Sequence, residues 1–333
     1  MYVIYHSSDS FAEVTGVSIA SLFANNRDAD NIHVLYIEKE IKEENKRKLR
    51  NLADEYGREL EFMPMPDWSK KIDFQLESSK SRWLGMGYNR LFLTEFIPEE
   101  IDKVLYLDSD TIIERSIKSL WETELDGYYM AGVDDCLSRY YRSLIGLSGD
   151  GIYCNAGVLL INLKKWREDN VCSKFVGLLR KRNGMIVFND QSILNELFKN
   201  QILILPQQYN VNSLVYLFSY QELMTLRKPY HYSYTADDLD AAKNTPVITH
   251  FTGNFYVLFR PWEENSDHPH KNAYLKYRQL TAWKNEPLKL RTKKISKWEK
   301  LCHRLPRTIM IYSVSFLYNV LRPLALKRKM KRI

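Results

Sequence analysis

Residues 103–113 read KVLYLDSDTII, an apolar run that breaks abruptly into two aspartates one position apart. Lys103–Leu107 is short and shows no polar alternation, the pattern of a central strand covered on both faces. Asp108 and Asp110 therefore stand at the carboxyl end of a central strand, the edge where open α/β sheets bind ligands. Upstream, strand-like runs at Tyr2–Tyr5, Ile32–Ile37 and Leu60–Met63 alternate with helical patterns at Val14–Phe23 and Ile41–Tyr56, which predicts βαβ units on a parallel sheet. GYNRLFLTEFI (87–97) repeats apolar positions at helical spacing. Downstream, GVLLINL (157–163) and QILILP (201–206) read as buried strands, DQSILNELF (190–198) as a helix, and TPVITHFTG (245–253) as a strand entering a glycine loop. The fold class is α/β.

With 333 residues the chain can bury roughly three quarters of its unfolded surface. At 45% hydrophobic and 27% charged it is neither disordered nor membrane-spanning throughout. The net charge of +7 hides an asymmetry. Residues 287–333 hold 14 Lys/Arg against one acid, a net +13, which leaves −6 for residues 1–286. The basic tail alone could carry a nucleic-acid reading, and it offers few stacking platforms, so no nucleic-acid partner is expected. The division is a body, 1–286, and a basic helical tail, 287–333, whose apolar segment Thr308–Leu321 has 14 residues, short of the roughly 20 a bilayer span requires. Such a segment packs on the body or lies at an anionic membrane surface. Cys136, Cys154, Cys172 and Cys302 show no C-x-x-C pair, which argues against a zinc site or a disulfide framework. The opening MYVIYHSSDS lacks a secretory pattern, and the expected location is cytoplasmic, peripheral on the inner face of the membrane.

An acid-x-acid match is weak by itself, and Asp28-Ala29-Asp30 and Asp238-Leu239-Asp240 satisfy it in polar loops where a solvated turn suffices. Asp108 and Asp110 differ, because residues i and i+2 of an extended segment project to one side. Carboxylates so close repel unless a cation or proton intervenes, and a hard divalent ion is one answer; a strand-end turn is the other. His250 closes its own strand, so a parallel sheet could bring it to the same edge, either as a ligand that favours manganese or as a hydrogen-bonded structural residue. Gly253 would admit a bulky anion close to the backbone. Gly85-Met86-Gly87 begins a dinucleotide motif, but Arg90 replaces its last glycine, and no Walker lysine motif is present.

KVLYLDSDTII, NAGVLLINLKKWRE, FNDQSILNELF and THFTG followed by RPW occur in this order and resemble glycosyltransferase family 8. The resemblance extends from the first strand to about Trp262. It implies a GT-A fold, a Rossmann-like mixed sheet with helices on both faces, and a retaining hexosyltransferase taking glucose or galactose from UDP-glucose or UDP-galactose to a glycan or glycolipid of the bacterial cell surface. Asp108, Asp110 and His250 would hold Mn²⁺ (or Mg²⁺), with Ser109 in the same motif. Asn155, Ala156, Asp190 and Gln191 match positions at the donor sugar, Gln191 under the anomeric carbon, and Arg90 matches an arginine beside it. Read locally, Asn155 could instead cap a turn, Asn189 and Asp190 could begin a helix, and Arg90 could be a surface ion-pair partner. Where relatives often carry a uracil-binding aspartate this chain has Ser8, with His6 and Asp9 beside it. Where they reach a lysine soon after the glycine, it reaches Arg260 only after NFYVLF. A metal-dependent nucleotidyl or phosphoryl transferase, and a non-catalytic glycan-binding protein of the same fold, are the alternative functions.

Overall fold

The computed structural model describes residues 1–65, 88–149, 151–182, 186–253, 259–291 and 295–330. The Gly85-Met86-Gly87 motif and most of the NFYVLF insertion lie outside the described residues. A seven-stranded sheet runs in the order β3-β2-β1-β4-β7-β6-β8. Its members are β1 (Tyr2–Ser8), β2 (His33–Lys39), β3 (Glu59–Pro64), β4 (Lys103–Leu107), β6 (Met130–Asp134), β7 (Cys154–Asn162) and β8 (Ile202–Ile204). The first four in chain order pair in parallel, as the alternating pattern predicts. β7 then runs antiparallel to both β4 and β6, which makes the sheet mixed.

KVLYL is central for the reason its composition suggests. Leu105 and Leu107 pack into a core with the helix Ala12–Ala24, whereas Val104 and Tyr106 pack on the opposite face with Trp166, Phe175 and Phe198. A strand buried on both faces has no place for a polar side chain until it leaves the sheet, and Asp108 is the first residue beyond it.

Two expectations are corrected. His250 does not lie in the parallel sheet: β10 (Ile248–His250) joins a separate three-stranded sheet, antiparallel to β5 (Thr111–Ile113) and parallel to β9 (Val211–Asn212). The chain leaves β4 through Asp108-Ser109-Asp110 and re-enters as β5, so His250 meets the motif across the Thr111 pair instead of beside β4. Residues 87–97 form no α-helix in their described part, only a 3₁₀ turn at Asn89–Glu95 with Phe92 off helical geometry. Leu91, Phe92 and Leu93 are all buried. Phe92, at φ −113° and ψ 16°, interrupts the i to i+4 hydrogen-bond ladder that an α-helix needs.

The tail is helical and rests on the body. Cys302, Met310, Ile311 and Val314 join the same core as the sheet. Ser315 Oγ donates to the Thr225 carbonyl at 2.6 Å, and Asn319 Nδ2 to that of Leu226 at 2.9 Å. Helical backbone continues from Arg307 to Met330, a 24-residue stretch of which a third of the most apolar window is buried. It is therefore longer than the 14 apolar residues counted in sequence, and by length and composition it reaches the threshold for a bilayer span.

Candidate active site

Three potential metal ligands meet where the turn after β4 faces the end of β10. Asp108, Asp110 and His250 offer atoms that all lie within 4.8 Å of one another. His250 Nε2 stands 3.2 Å from Asp110 Oδ1 and 3.7 Å from Asp108 Oδ2. The turn holding the carboxylates is tied down by backbone and hydroxyl bonds: the Asp108 N–H donates to the Gly157 carbonyl at 2.8 Å, Ser109 Oγ to that of His6 at 3.0 Å, and Thr111 Oγ1 to that of Asp108 at 2.8 Å.

The imidazole is oriented from behind. Asn210 Nδ2 donates to Asn155 Oδ1 at 2.9 Å, which leaves the Asn210 amide oxygen to accept from His250 Nδ1, 3.1 Å away. Nε2 then presents its lone pair toward the aspartates. Gly157 makes room for the ring, since a Cβ there would stand 2.1 Å from His250 Cε1. Burial disfavours the charged imidazole, but Asp110 and then Asp108 outweigh it and hold its pKa above the ordinary value. Burial likewise raises the Asp110 carboxyl, and His250 with Arg260 reverses that shift to leave it lowered.

The same hydrogen-bond chain reaches Gln191. Asn155 Nδ2 donates to Asp135 Oδ1 at 3.1 Å, Gln191 Nε2 donates to Asp135 Oδ2 at 2.8 Å, and the Ala156 N–H donates to Gln191 Oε1 at 3.2 Å. Both ends of the Gln191 amide are thus fixed. Asn155 also accepts the Gly157 N–H at 2.9 Å, so the turn-capping role and the site position coincide.

Arg90 is no surface ion-pair partner. It is buried, its guanidinium 4.2 Å from the Tyr106 ring, and it spans two acids: Asp108 Oδ1 at 3.0 Å and Asp190 Oδ2 at 2.6 Å, the latter contact lacking hydrogen-bond geometry. It also donates to the Ala156 carbonyl. Burial, with Asp108 adding and Arg90 opposing, pushes the Asp190 carboxyl up to about 6. Asn189 makes no side-chain cap; it and Phe188 both take left-handed backbone, with φ of 51° and 61°. Left-handed backbone at a bulky residue such as Phe188 is uncommon and costs energy, and such strain clusters at functional sites.

The remaining expected positions sit around this centre. Arg260 Nη1 is 3.6 Å from Asp110 Oδ2, and a Cβ at Gly253 would meet Arg260 Nη2 at 2.8 Å. His6 accepts from Asn89 Nδ2 at 3.3 Å, and burial, with the Arg90 charge, pushes its pKa down to about 3. Ser8 Oγ reaches Ser10 Oγ at 3.1 Å. Asp9 Oδ1 accepts from the Lys42 N–H at 3.0 Å and from Asn45 at 2.8 Å, so its carboxylate ties β1 to the loop after β2. Asp135, Asn210 and Gly157 escaped the sequence reading. Asp135 had a signal, because MAGVDDC repeats the pattern of an apolar strand ending in acids; Asn210 had none.

The turn after β4 in the seven-stranded sheet and the end of β10 in the small sheet thus bring two carboxylates and an imidazole together, with the fixed Gln191 amide linked to them by hydrogen bonds. The glycosyl transferase family 8 model matches residues 2–266, and the chain belongs to that family. It has the GT-A fold and is a hexosyltransferase. It is 27% identical over 316 residues to a lipopolysaccharide 1,2-glucosyltransferase of Escherichia coli, covering 92% of this chain and 86% of the relative. A Haemophilus influenzae protein grouped with the glycosyltransferases is 33% identical over 215 residues, 63% of each chain. The crystal structure of the galactosyltransferase LgtC with donor and acceptor sugar analogues superposes with a TM-score of 0.69 at 25% identity, covering 85% of this chain and 96% of that one.

Proposed function

We propose that the protein is a retaining, Mn²⁺-dependent transferase that moves glucose or galactose from a UDP-sugar to a glycan or glycolipid of the cell surface. The observation that carries the reading is the continuity of one hydrogen-bond chain from His250, through Asn210, Asn155 and Asp135, to Gln191. The donor set fits a divalent cation, with two carboxylates and an imidazole whose Nδ1 is already committed. When bound, such an ion neutralises the diphosphate and stabilises UDP as it departs. Arg260 supplies a guanidinium fork at the same phosphates. Asp190, held by Arg90, accepts from donor-sugar hydroxyls, while Gln191 presents its fixed amide beneath the anomeric carbon. The acceptor oxygen bonds to that carbon, the carbon–phosphate-oxygen bond breaks, and the acceptor proton leaves with UDP. His6, Ser8 and Asp9 border the uridine.

Residues 1–286 carry this machinery, and 287–333 form a basic appendage that holds the enzyme against an anionic inner-membrane surface. Ile309, Tyr312, Phe316 and Leu324 are each more than half exposed and recur at helical spacing, an apolar stripe facing away from the body with basic residues at both ends. The opposite face is docked through Met310, Ile311 and Val314, which favours lying on a bilayer over crossing it.

A screen of UDP-sugars for Mn²⁺-dependent UDP release, with and without lipopolysaccharide-type acceptors, tests the function. UDP liberation from UDP-glucose or UDP-galactose is the expected result. Pyrophosphate release would indicate nucleotidyl transfer, and donor binding without turnover would indicate a non-catalytic glycan-binding protein.

A further inference from the structure

A cavity of about 860 Å³ opens beside Asp135 and Gln191 and has the C-terminal helices as its opposite wall. Most of that wall is hydrocarbon, including Val314, Leu317 and Leu321, and Leu226 of the helix Tyr220–Arg227 adds to it. Two cations line the cavity, Arg227 at the end of the helix Tyr220–Arg227 and Arg322 on the C-terminal helix. The Arg227 guanidinium lies 4.7 Å from the Tyr318 ring, and that of Arg322 lies 5.4 Å from Phe188, two residues before Asp190. Arg227 Nε is buried without a hydrogen-bond partner among the described residues, and Arg322 also lies 5.8 Å from the Tyr141 ring and 5.9 Å from that of Tyr318. Asp135 is the carboxylate beside the cavity; its oxygens accept from Asn155 and Gln191, and its charge also acts on Arg227.

Arg227 is half-buried with its Nε unpartnered, Arg322 stands exposed at the rim of the cavity, and a planar guanidinium matches phosphate oxygens two at a time. Leu321 lines the cavity and is 45% exposed, so the cavity reaches the surface at the outward stripe that continues to Leu324.

We propose that this cavity receives the acceptor, and that the acceptor is an anionic amphiphile in which a phosphate links sugar to hydrocarbon. The sugar lies against Asp135 and Gln191, the phosphate between Arg227 and Arg322, and the hydrocarbon along Leu317 and Leu321 toward the membrane-facing stripe. This rests on the transferase reading. The C-terminal helix is then a wall of the acceptor site as well as a membrane contact.

The test uses the full-length protein, with Trp298, which lines the cavity, as a fluorescent reporter. Dodecyl phosphate, below its micelle-forming concentration, should bind at least tenfold more tightly than dodecyl maltoside or inorganic phosphate. Arg227→Gln and Arg322→Gln should each reduce that preference at least fivefold without changing dodecyl maltoside affinity, whereas Lys327→Gln, an equal charge loss outside the cavity, should leave it intact. Should Arg227→Gln fail to fold, Arg322→Gln decides alone. Equal affinity for the charged and neutral amphiphiles, or a preference lost equally with Lys327→Gln, would overturn the proposal in favour of general attraction to a basic surface. UDP-sugar hydrolysis on the same sample separates the two readings: hydrolysis without an anion preference removes only the cavity assignment, and absent hydrolysis removes the transferase reading and the acceptor role with it.

Discussion

The Asp108–His250 edge and the Arg307–Met330 helix both concentrate charge, by opposite means. At the edge His250 is 4% exposed and its partners are fixed by strand ends and a chain of amides, so each charge has a neighbour at a set distance. Along the helix, charge gathers at the ends, on Arg307, Arg322 and Lys327–Lys329, while the middle is apolar. Buried, mutually bonded charges respond to the loss of one atom, because the partner left behind is desolvated and unpaired. Exposed charges respond to their number and to salt.

Asp110→Ala should show the largest effect, a loss of UDP-sugar turnover of about a hundredfold or more, since it removes a charge-stabilising group from the reaction centre. Steady-state UDP release in Mn²⁺, with EDTA as the parallel arm, checks it; turnover within tenfold of the parent would remove the edge from the chemistry. Asn210→Ala comes next. It touches no proposed substrate, but it frees the His250 ring, and loss of such an orienting partner weakens metal affinity by about 10- to 100-fold. Mn²⁺ titration followed by paramagnetic resonance reads this directly, and an unchanged affinity would mean that the amide chain is structural only.

The same contrast decides what could be read in advance. The motif Asp108-Ser109-Asp110 was legible because KVLYL must be buried on both faces and the acids can only follow it. The helix Asn189–Leu197 and strands β7 and β8 follow from periodicity for the same reason. The second sheet was not legible: β5, β9 and β10 have only three, two and three residues, and pairing between strands 137 positions apart leaves no local trace. The burial of Arg90 was hidden too, since a cation inside is stable only with partners, and Asp108 and Asp190 lie 18 and 100 positions away in sequence. Asn210 is one polar residue among several in QQYNVN, and nothing local marks it as the support of a histidine 40 residues on.

Neighbouring acids at the end of β6 give a subtler test of the buried region. Asp135 faces the cavity, whereas Asp134 is buried and accepts from the Ser233 N–H at 3.0 Å, Ser233 Oγ at 2.7 Å and the Cys136 N–H at 3.2 Å. Burial outweighs these bonds and pushes its pKa up to about 6. A carboxyl whose folded pKa exceeds its unfolded value, about 3.9, binds its proton more tightly when folded. The contribution of this carboxyl to stability is then undiminished below pH 4 and declines as pH rises through the window to about 6, by an amount on the order of 3 kcal/mol. Asp134→Asn should lose a hydrogen bond at every pH but lack this slope. Urea denaturation at pH 4 and pH 7 should show the parent's advantage over Asp134→Asn shrinking toward the higher pH; a gap that widens would reverse the sign.

The exposed region should yield the smallest change per residue, and its response should be graded. Ile309 and Phe316 are 52% and 54% exposed, so replacing them with Glu removes little from the folded body. Surface substitutions of this kind typically shift stability by no more than about 0.5 kcal/mol. On an anionic vesicle each side chain would bury apolar area worth roughly 1.5 kcal/mol, so each substitution should weaken sedimentation with phosphatidylglycerol vesicles about tenfold, and the pair more. Raising salt from 0.05 to 0.5 M should weaken the parent as well, by screening the basic ends. Met310→Glu makes the contrast on the same helix: Met310 is fully buried against the body, so its replacement should lower the melting temperature before any vesicle is added. If Ile309→Glu and Phe316→Glu instead destabilise the protein as Met310→Glu does, the stripe packs against protein in solution. If all three leave vesicle binding unchanged, the membrane is met through charge alone.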